Sequence, residues 1–264
     1  MKSVLDFAAA KAAGRKISMV TCYDSSLARV LEGSAIDCIL VGDSAAMVVH
    51  GHPDTLAATV EMMALHTAAV RRGAPTRFII GDLPFLSFRK GVPAALDAVA
   101  ALMRAGAQAV KLEGVSGHED VIEAIVGSGV PVMGHLGLTP QSVNALAGFR
   151  VQGRRESDAV RIVEDAKRLE ELGCFSIVLE CVPSALGARI TQAVGIPTIG
   201  VGAGIHCDGQ VLVLQDVLGF TGGHRPKFVR TYLDGNAVVR EAVDRFDRDV
   251  KQGAFPAPAE SYDA

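Results

Sequence analysis

The sequence lacks the features of membrane and exported proteins. No apolar run reaches the roughly 18 residues that a transmembrane helix requires. The first residues carry no apolar core behind a basic start, and they predict a short amphipathic helix over about residues 5–13 in place of a signal peptide. We therefore expect a cytoplasmic protein with no membrane partner.

Paired cysteines and an excess of positive charge are also missing. The five cysteines are scattered, odd in number and never spaced as CxxC. This excludes the disulfide framework of a small secreted fold and favours buried thiols. Lys and Arg number 26 against 29 acidic residues, for a net charge of −3, so the chain has no basic footprint for nucleic acid.

The sequence does contain a regular alternation of short apolar runs and helical segments. The strand-like runs are residues 17–21, 37–41, 78–82, 109–113, 132–135, 175–180, 198–201 and 211–214. Strands that alternate with helices predict a parallel sheet with crossover helices. At 264 residues, eight such units predict one (β/α)8 TIM barrel over residues 1–264, with an open doubly wound sheet as the alternative.

Three segments are expected to be less regular. Residues 45–55 and 136–155 are predicted to be long connections. The Pro- and Ala-rich tail over about residues 253–264 is predicted to be loosely ordered. A charged helix over residues 236–250 precedes the tail.

Acidic residues stand at the carboxyl ends of the predicted strands. Asp43, Asp82 and Glu113 occupy comparable positions on three of them, and Glu180 ends a fourth. In a barrel these ends meet at one mouth. Rigidly held carboxylates are the hard oxygen ligands that suit Mg²⁺. The alternative is that each acid caps a separate helix, which explains one acid easily but not four.

Lys111 precedes Glu113 by two positions on one strand, so both side chains face the same side. Such a lysine either forms a Schiff base or holds a substrate carboxylate. Neighbouring acids keep a lysine protonated, which favours the second role. His50, His52 and His135 would suggest zinc, but no thiolate spacing supports a zinc site.

Seven short motifs lie within a stretch of resemblance to a known family that covers most of the chain, from about Thr21 to Phe228. They are LVGDS at 40–44, HTAAVRRGAP at 66–75, DLPF at 82–85, VKLEG at 110–114, GHLGLTPQS at 134–142, LECVP at 179–183 and GAG at 202–204. In this combination the chain resembles the ketopantoate hydroxymethyltransferase family. One departure lies beside the acids, where Ser44-Ala45-Ala46 replaces the Ser-Leu-Gly of the family pattern.

The resemblance implies a barrel of the phosphoenolpyruvate/pyruvate type and a reaction. A one-carbon unit would pass from 5,10-methylenetetrahydrofolate to 3-methyl-2-oxobutanoate through a Mg²⁺-stabilised enolate, giving 2-dehydropantoate for pantothenate biosynthesis. It also implies a homodecamer built as a pentamer of dimers. The rivals are a Mg²⁺-dependent C–C lyase or mutase of 2-oxo or 2-hydroxy acids on the same barrel, and a barrel that only binds.

The same resemblance assigns roles to the strand-end residues. Asp43, Asp82 and Glu113 would hold Mg²⁺, and Glu180 would be the proton acceptor. The residues implied to bind the oxo acid are Asp43, Ser44, Asp82, Lys111 and His135.

Overall fold

Eight short strands form from apolar runs, most of which are buried on both faces, as is typical of a parallel sheet covered by helices. The strands are β1 (Ile17–Thr21), β2 (Cys38–Val41), β3 (Phe78–Asp82), β4 (Ala109–Glu113), β5 (Val132–Gly137), β6 (Ser176–Glu180), β7 (Thr198–Val201) and β8 (Gly209–Leu212). Each strand pairs in parallel with the next, and β1 also pairs with β8. The predicted closed barrel is thus confirmed, and the open sheet is excluded.

The structure is a computed structural model that describes residue 1, residues 3–222 and residues 225–262. Two units make up the chain, Met1–Val213 with the barrel and Leu214–Ala264. The single domain expected over residues 1–264 stays a prediction. Across the described ranges, none of the helices combines the length and the apolar character needed to cross a membrane.

Helices follow most of the strands. The first unit contains α1 (Val4–Ala12), α2 (Ser25–Glu32), α3 (Ala45–Val48), α4 (Val60–Gly73), α5 (Val92–Arg104), α6 (Glu119–Gly127), α7 (Glu156–Glu171) and α8 (Ser184–Ala193); the second contains α9 (Leu214–Leu218) and α10 (Gly235–Lys251). Asp24 is the N-cap of α2, where its carboxylate accepts hydrogen bonds from the amides of Ser26 and Leu27.

The sequence-based boundaries need correction in three places. The four-residue α3 and the 3-10 helix Pro140–Ser142 lie in segments expected to be irregular; both are too short to show a helical period. Strand β8 begins at Gly209, two residues before the prediction, because glycine is a poor strand signal. In the tail, residues 258–260 form a 3-10 helix, and residues 263–264 lie outside the described residues.

Apolar side chains pack together at the amino-terminal end of the barrel strands. Phe7 of α1 is fully buried, and its ring lies 5.4 Å from that of Phe78 and 5.1 Å from that of Phe175. Both edge-on contacts add to the burial of a large apolar surface. Since Phe78 begins β3 and Phe175 precedes β6, this core occupies one end of the barrel and leaves the carboxyl end for polar groups.

Candidate active site

Neighbouring strands place the predicted polar side chains next to one another at the carboxyl end. Asp82 ends β3 in register with Lys111 of β4, and Glu113 ends β4 in register with His135 of β5. Asp43 follows β2, and Glu180 ends β6. The first five residues are each at most 4% exposed, so their charges must be balanced within the site.

Lys111 and Asp82 form a buried ion pair. The Lys111 Nζ lies 2.7 Å from Asp82 Oδ1, and the backbone amide of Asp43 donates to Asp82 Oδ2 at 3.3 Å. Burial acts to lower the pKa of Lys111, but the carboxylates of Asp82, Glu113 and Asp43 raise it overall. A lysine held protonated is a cation for binding an anion and a poor nucleophile.

His135 lies between two acids. Its Nδ1 is 3.3 Å from Glu113 Oε1 and its Nε2 is 3.3 Å from Glu180 Oε2. Burial and the charge of Lys111 act to lower the pKa of His135, but the two carboxylates raise it to about 9. Near neutral pH the imidazolium thus carries positive charge between Glu113 and Glu180.

Negative charge remains in excess around the three predicted metal ligands. Burial, followed by repulsion from Asp82 and Glu113, raises the pKa of Asp43 well above its ordinary value. Burial also raises the pKa of Asp82, partly offset by Lys111. The Oε1 atom of Glu113 is buried and faces His135 Nδ1 at 3.3 Å, but it makes no well-aligned hydrogen bond in the described part of the chain.

These observations test whether a divalent cation fits the site. As the side chains stand, no three His, Cys, Asp or Glu residues of the described ranges are arranged as a ligand group; Asp82, for example, is turned to Lys111. The donor chemistry nevertheless fits, because buried carboxylates that repel one another are what a hard cation neutralises. The assignment of Asp43, Asp82 and Glu113 as ligands stays a prediction.

The chain matches the family model described as ketopantoate hydroxymethyltransferase over residues 2–258. The chain belongs to this family. A protein of Bdellovibrio bacteriovorus named 3-methyl-2-oxobutanoate hydroxymethyltransferase is 57% identical over 262 residues, covering 99% of this chain and 100% of the relative. A protein of the same name from Coxiella burnetii is 54% identical over 252 residues, 95% of each chain.

Solved structures share the barrel at low identity. A phosphonopyruvate hydrolase in complex with oxalate and Mg²⁺ has a TM-score of 0.63 at 13% identity, covering 98% of this chain and 93% of the other. A 2,3-dimethylmalate lyase, described as a member of the PEP mutase/isocitrate lyase superfamily, has a TM-score of 0.61 at 17% identity, covering 94% and 88%. The fold class expected for this ketopantoate hydroxymethyltransferase family member is confirmed.

Two residues at the site were not predicted from the sequence. The Tyr23 hydroxyl lies 2.8 Å from the Oγ of Ser44, one of the predicted substrate-binding residues. Gln141 is buried and contacts both Asp43 and Glu113. Gln141 lies within the 134–142 motif, but no spacing in the sequence indicates which strand ends it reaches.

The zinc alternative gains no support. His50 Nε2 lies 2.8 Å from His66 Nε2, whereas His135 lies with Glu113 and Glu180. Within the described ranges these histidines do not form a group that could hold a metal ion.

Proposed function

We propose that this enzyme transfers a hydroxymethyl group from 5,10-methylenetetrahydrofolate to 3-methyl-2-oxobutanoate, giving 2-dehydropantoate in pantothenate biosynthesis. The names of relatives that match nearly the whole chain support the reaction. The structural observation that carries it is the meeting of three buried acids, a protonated lysine and Glu180 at one barrel mouth. Such a site suits removal of a proton beside a ketone.

Asp43, Asp82 and Glu113 would hold the Mg²⁺ ion, since they supply hard oxygen donors and surplus negative charge. When bound, the ion would supply positive charge at the keto oxygen and so make the neighbouring C–H more acidic. The three carboxylates themselves would fix where the ion binds, because they lie at or next to the ends of rigid strands.

Lys111 would bind the carboxylate of the oxo acid. Its ammonium group is already ordered against Asp82 at 2.7 Å, so little side-chain freedom is lost when an anion arrives. Ser44 would add a hydroxyl, which is held by the Tyr23 hydroxyl at 2.8 Å. These contacts favour carboxylate binding over Schiff-base formation.

Glu180 would accept the proton from C3 of the oxo acid. Its side chain is 19% exposed, more than the neighbouring acids, and so can reach a substrate at the mouth. His135, 3.3 Å away, would hold the carboxylate in place. Water would cleave the two C–N bonds of the donor's methylene group, so that its two protons pass to the nitrogens of tetrahydrofolate and its oxygen stays on the one-carbon unit as an aldehyde. The carbanion would bond to this aldehyde carbon, and the proton held by Glu180 would pass to the new hydroxyl oxygen.

A cleft of about 260 Å³ adjoins Glu113 and offers a route for the donor. Phe85, Leu86, Phe88 and Arg89 line it together with Gln141 and Ser142. The Arg89 guanidinium lies 5.3 Å from the centre of the Phe88 ring. An aromatic wall beside a cation suits a planar, negatively charged molecule such as a folate.

The homodecamer and the cytoplasmic location are parts of the same proposal. In the second unit, α10 exposes about half of each of Val239, Val243 and Phe246. Apolar side chains grouped in this way are typical of surfaces that a second subunit covers.

The deciding experiment is an assay with 3-methyl-2-oxobutanoate and methylenetetrahydrofolate, with and without a chelator. We expect 2-dehydropantoate to form only when both substrates and a divalent ion are present. Cleavage of a 2-oxo or 2-hydroxy acid without folate would favour the lyase or mutase. Absence of any metal-dependent turnover would favour a barrel that only binds.

A further inference from the structure

Gln141 is a buried polar residue in a short connection. It is the central residue of the 3-10 helix Pro140–Ser142, which follows β5, and only 6% of it is exposed. A glutamine costs free energy to bury unless its amide finds partners. The hydrogen-bond partners of Gln141 therefore indicate what role its buried amide has.

All three N–H groups that Gln141 offers are used at the barrel mouth. The side-chain Nε2 donates to Asp43 Oδ2 at 2.8 Å and to the Leu83 carbonyl at 2.9 Å. The backbone N–H donates to Glu113 Oε2 at 3.0 Å. One residue of the loop after β5 thus joins groups that follow or end β2, β3 and β4.

The chemistry of these partners selects a neutral donor. All three partners are acceptors, and two of them are carboxylates, so a glutamate here would add another negative charge. A lysine would neutralise the carboxylates and compete with any cation. An amide instead fixes the direction of each carboxylate and leaves its charge available.

The geometry also leaves a second oxygen on each acid. Gln141 engages Oδ2 of Asp43 and Oε2 of Glu113. The other oxygen of Glu113 is buried and makes no hydrogen bond to the described residues, although His135 Nδ1 lies 3.3 Å from it. A carboxylate held at one oxygen presents the other in a fixed direction, as outer-shell partners of metal ligands do.

We propose that Gln141 is a positioning residue whose side chain orients Asp43 toward a divalent cation, while its backbone N–H holds Glu113. The inference rests on the proposed function, because it takes these two acids as metal ligands. It assigns Gln141 no contact with the reacting atoms. Its effect on catalysis passes through the two acids.

The test uses the full chain with Gln141→Met, which keeps the side-chain length, removes the two Nε2–H donors to Asp43 and Leu83, and leaves the backbone contact with Glu113 in place. The matched control is Gln152→Met, since the Gln152 side-chain amide donates to the Arg150 carbonyl at 2.9 Å, in an exposed contact that includes neither Asp43 nor Glu113. Calorimetric titration with Mg²⁺ alone should show affinity about 10–100-fold weaker in Gln141→Met. The control should bind Mg²⁺ as the wild type does.

Turnover at rising Mg²⁺ provides the second readout. The deficit of Gln141→Met should shrink as Mg²⁺ increases, whereas general damage to the fold would persist at every concentration. If the methionine variant does not fold, Gln141→Asn keeps an amide too short to span both partners and should show the same Mg²⁺-dependent deficit.

The outcomes separate the two proposals. Unchanged Mg²⁺ affinity and turnover in a folded Gln141 variant, with a wild type that binds Mg²⁺, would overturn the role of Gln141 alone. A wild type that binds no divalent ion would instead overturn the proposed metal site.

Discussion

Lys111 shows how surroundings decide the chemistry of a single residue. Burial would favour a neutral amine, and a neutral lysine is a nucleophile. The ion pair with Asp82 at 2.7 Å and the nearby Glu113 reverse this preference and raise the pKa of Lys111. The same acids that suit a cation therefore favour the binding role of the lysine.

Glu180→Gln should abolish exchange of the C3 proton of 3-methyl-2-oxobutanoate with solvent and lower kcat by about 10²–10⁴-fold. Binding of Mg²⁺ and of the oxo acid should change little, because the amide preserves the shape of the side chain. NMR in D₂O would follow the exchange. Exchange at the wild-type rate would remove Glu180 from the role of base.

Lys111→Arg should raise the KM for the oxo acid by about tenfold or more, because the planar guanidinium cannot reproduce the point contact with Asp82. Steady-state kinetics would measure the change. Borohydride treatment of the wild type in the presence of substrate tests the alternative role. A trapped adduct on Lys111 would show Schiff-base chemistry and contradict the carboxylate-binding role.

His118 should make the stability of the fold depend on pH. Burial and the charge of Arg89 lower its pKa from 6.5 to about 4, so between these values the unfolded chain binds the proton that the folded chain excludes. Protonation of His118 therefore does not reduce the free energy of unfolding above pH 6.5, but it lowers this free energy progressively as the pH drops toward 4. His118→Gln should reduce this loss by on the order of 1–2 kcal/mol in urea unfolding at pH 7 and pH 4.5. Parallel pH profiles for the two proteins would contradict the assignment.

At the scale of elements, the backbone at the end of β5 packs directly against the backbone at the end of β6. Gly137 has a φ of +94°, and a Cβ placed there would collide with the backbone carbonyl of Glu180. That carbonyl accepts a hydrogen bond from the Leu138 amide at 2.8 Å. A glycine is therefore required where the backbone of β5 passes close to the proposed base.

Gly137→Ala should destabilise the fold by about 2–4 kcal/mol, because strain at positive φ adds to the collision. It should also lower kcat, since the Glu180 backbone must move. Gly148→Ala is the control: its φ of +100° carries similar strain, but nothing lies within 4 Å of the added Cβ. Thermal melting and kinetics would compare the two, and equal effects on kcat would contradict the coupling to Glu180.

At the scale of the barrel, the two ends have opposite chemistry. Rings such as Phe7 and Phe78 fill the amino-terminal end, whereas buried acids and Lys111 occupy the carboxyl end. The apolar end stabilises the fold through the hydrophobic effect. The polar end costs stability, because charges leave water and the acids repel one another.

Mg²⁺ should therefore stabilise the whole molecule. An ion bound only by the folded state adds about 2.7 kcal/mol at 100 times its Kd, and this should raise Tm by several degrees. Differential scanning calorimetry with Mg²⁺ or with a chelator would measure the difference. Asp82→Ala should abolish it, and an equal rise in that variant would indicate nonspecific binding.

Part of the site was predictable from position in the sequence alone. Asp82 and Glu113 end apolar runs, and parallel strands bring such ends to one mouth whatever the details of packing. The placement of Lys111 on the same side of its strand as Glu113 was predictable from the two-residue period of a strand. Gln141 was not predictable, because its partners lie 98 residues away at Asp43 and 28 away at Glu113.

The sequence by itself determined the alternation of buried strands and helices, the strand ends that carry charge, and the family. These depend on hydrophobic periodicity and on contiguous motifs, which are local properties. Only the tertiary structure decided that β8 closes on β1, that Lys111 pairs with Asp82, and that Gln141 joins Asp43 to Glu113. Such pairings depend on distances between residues far apart in the chain, and closure of the barrel sets those distances.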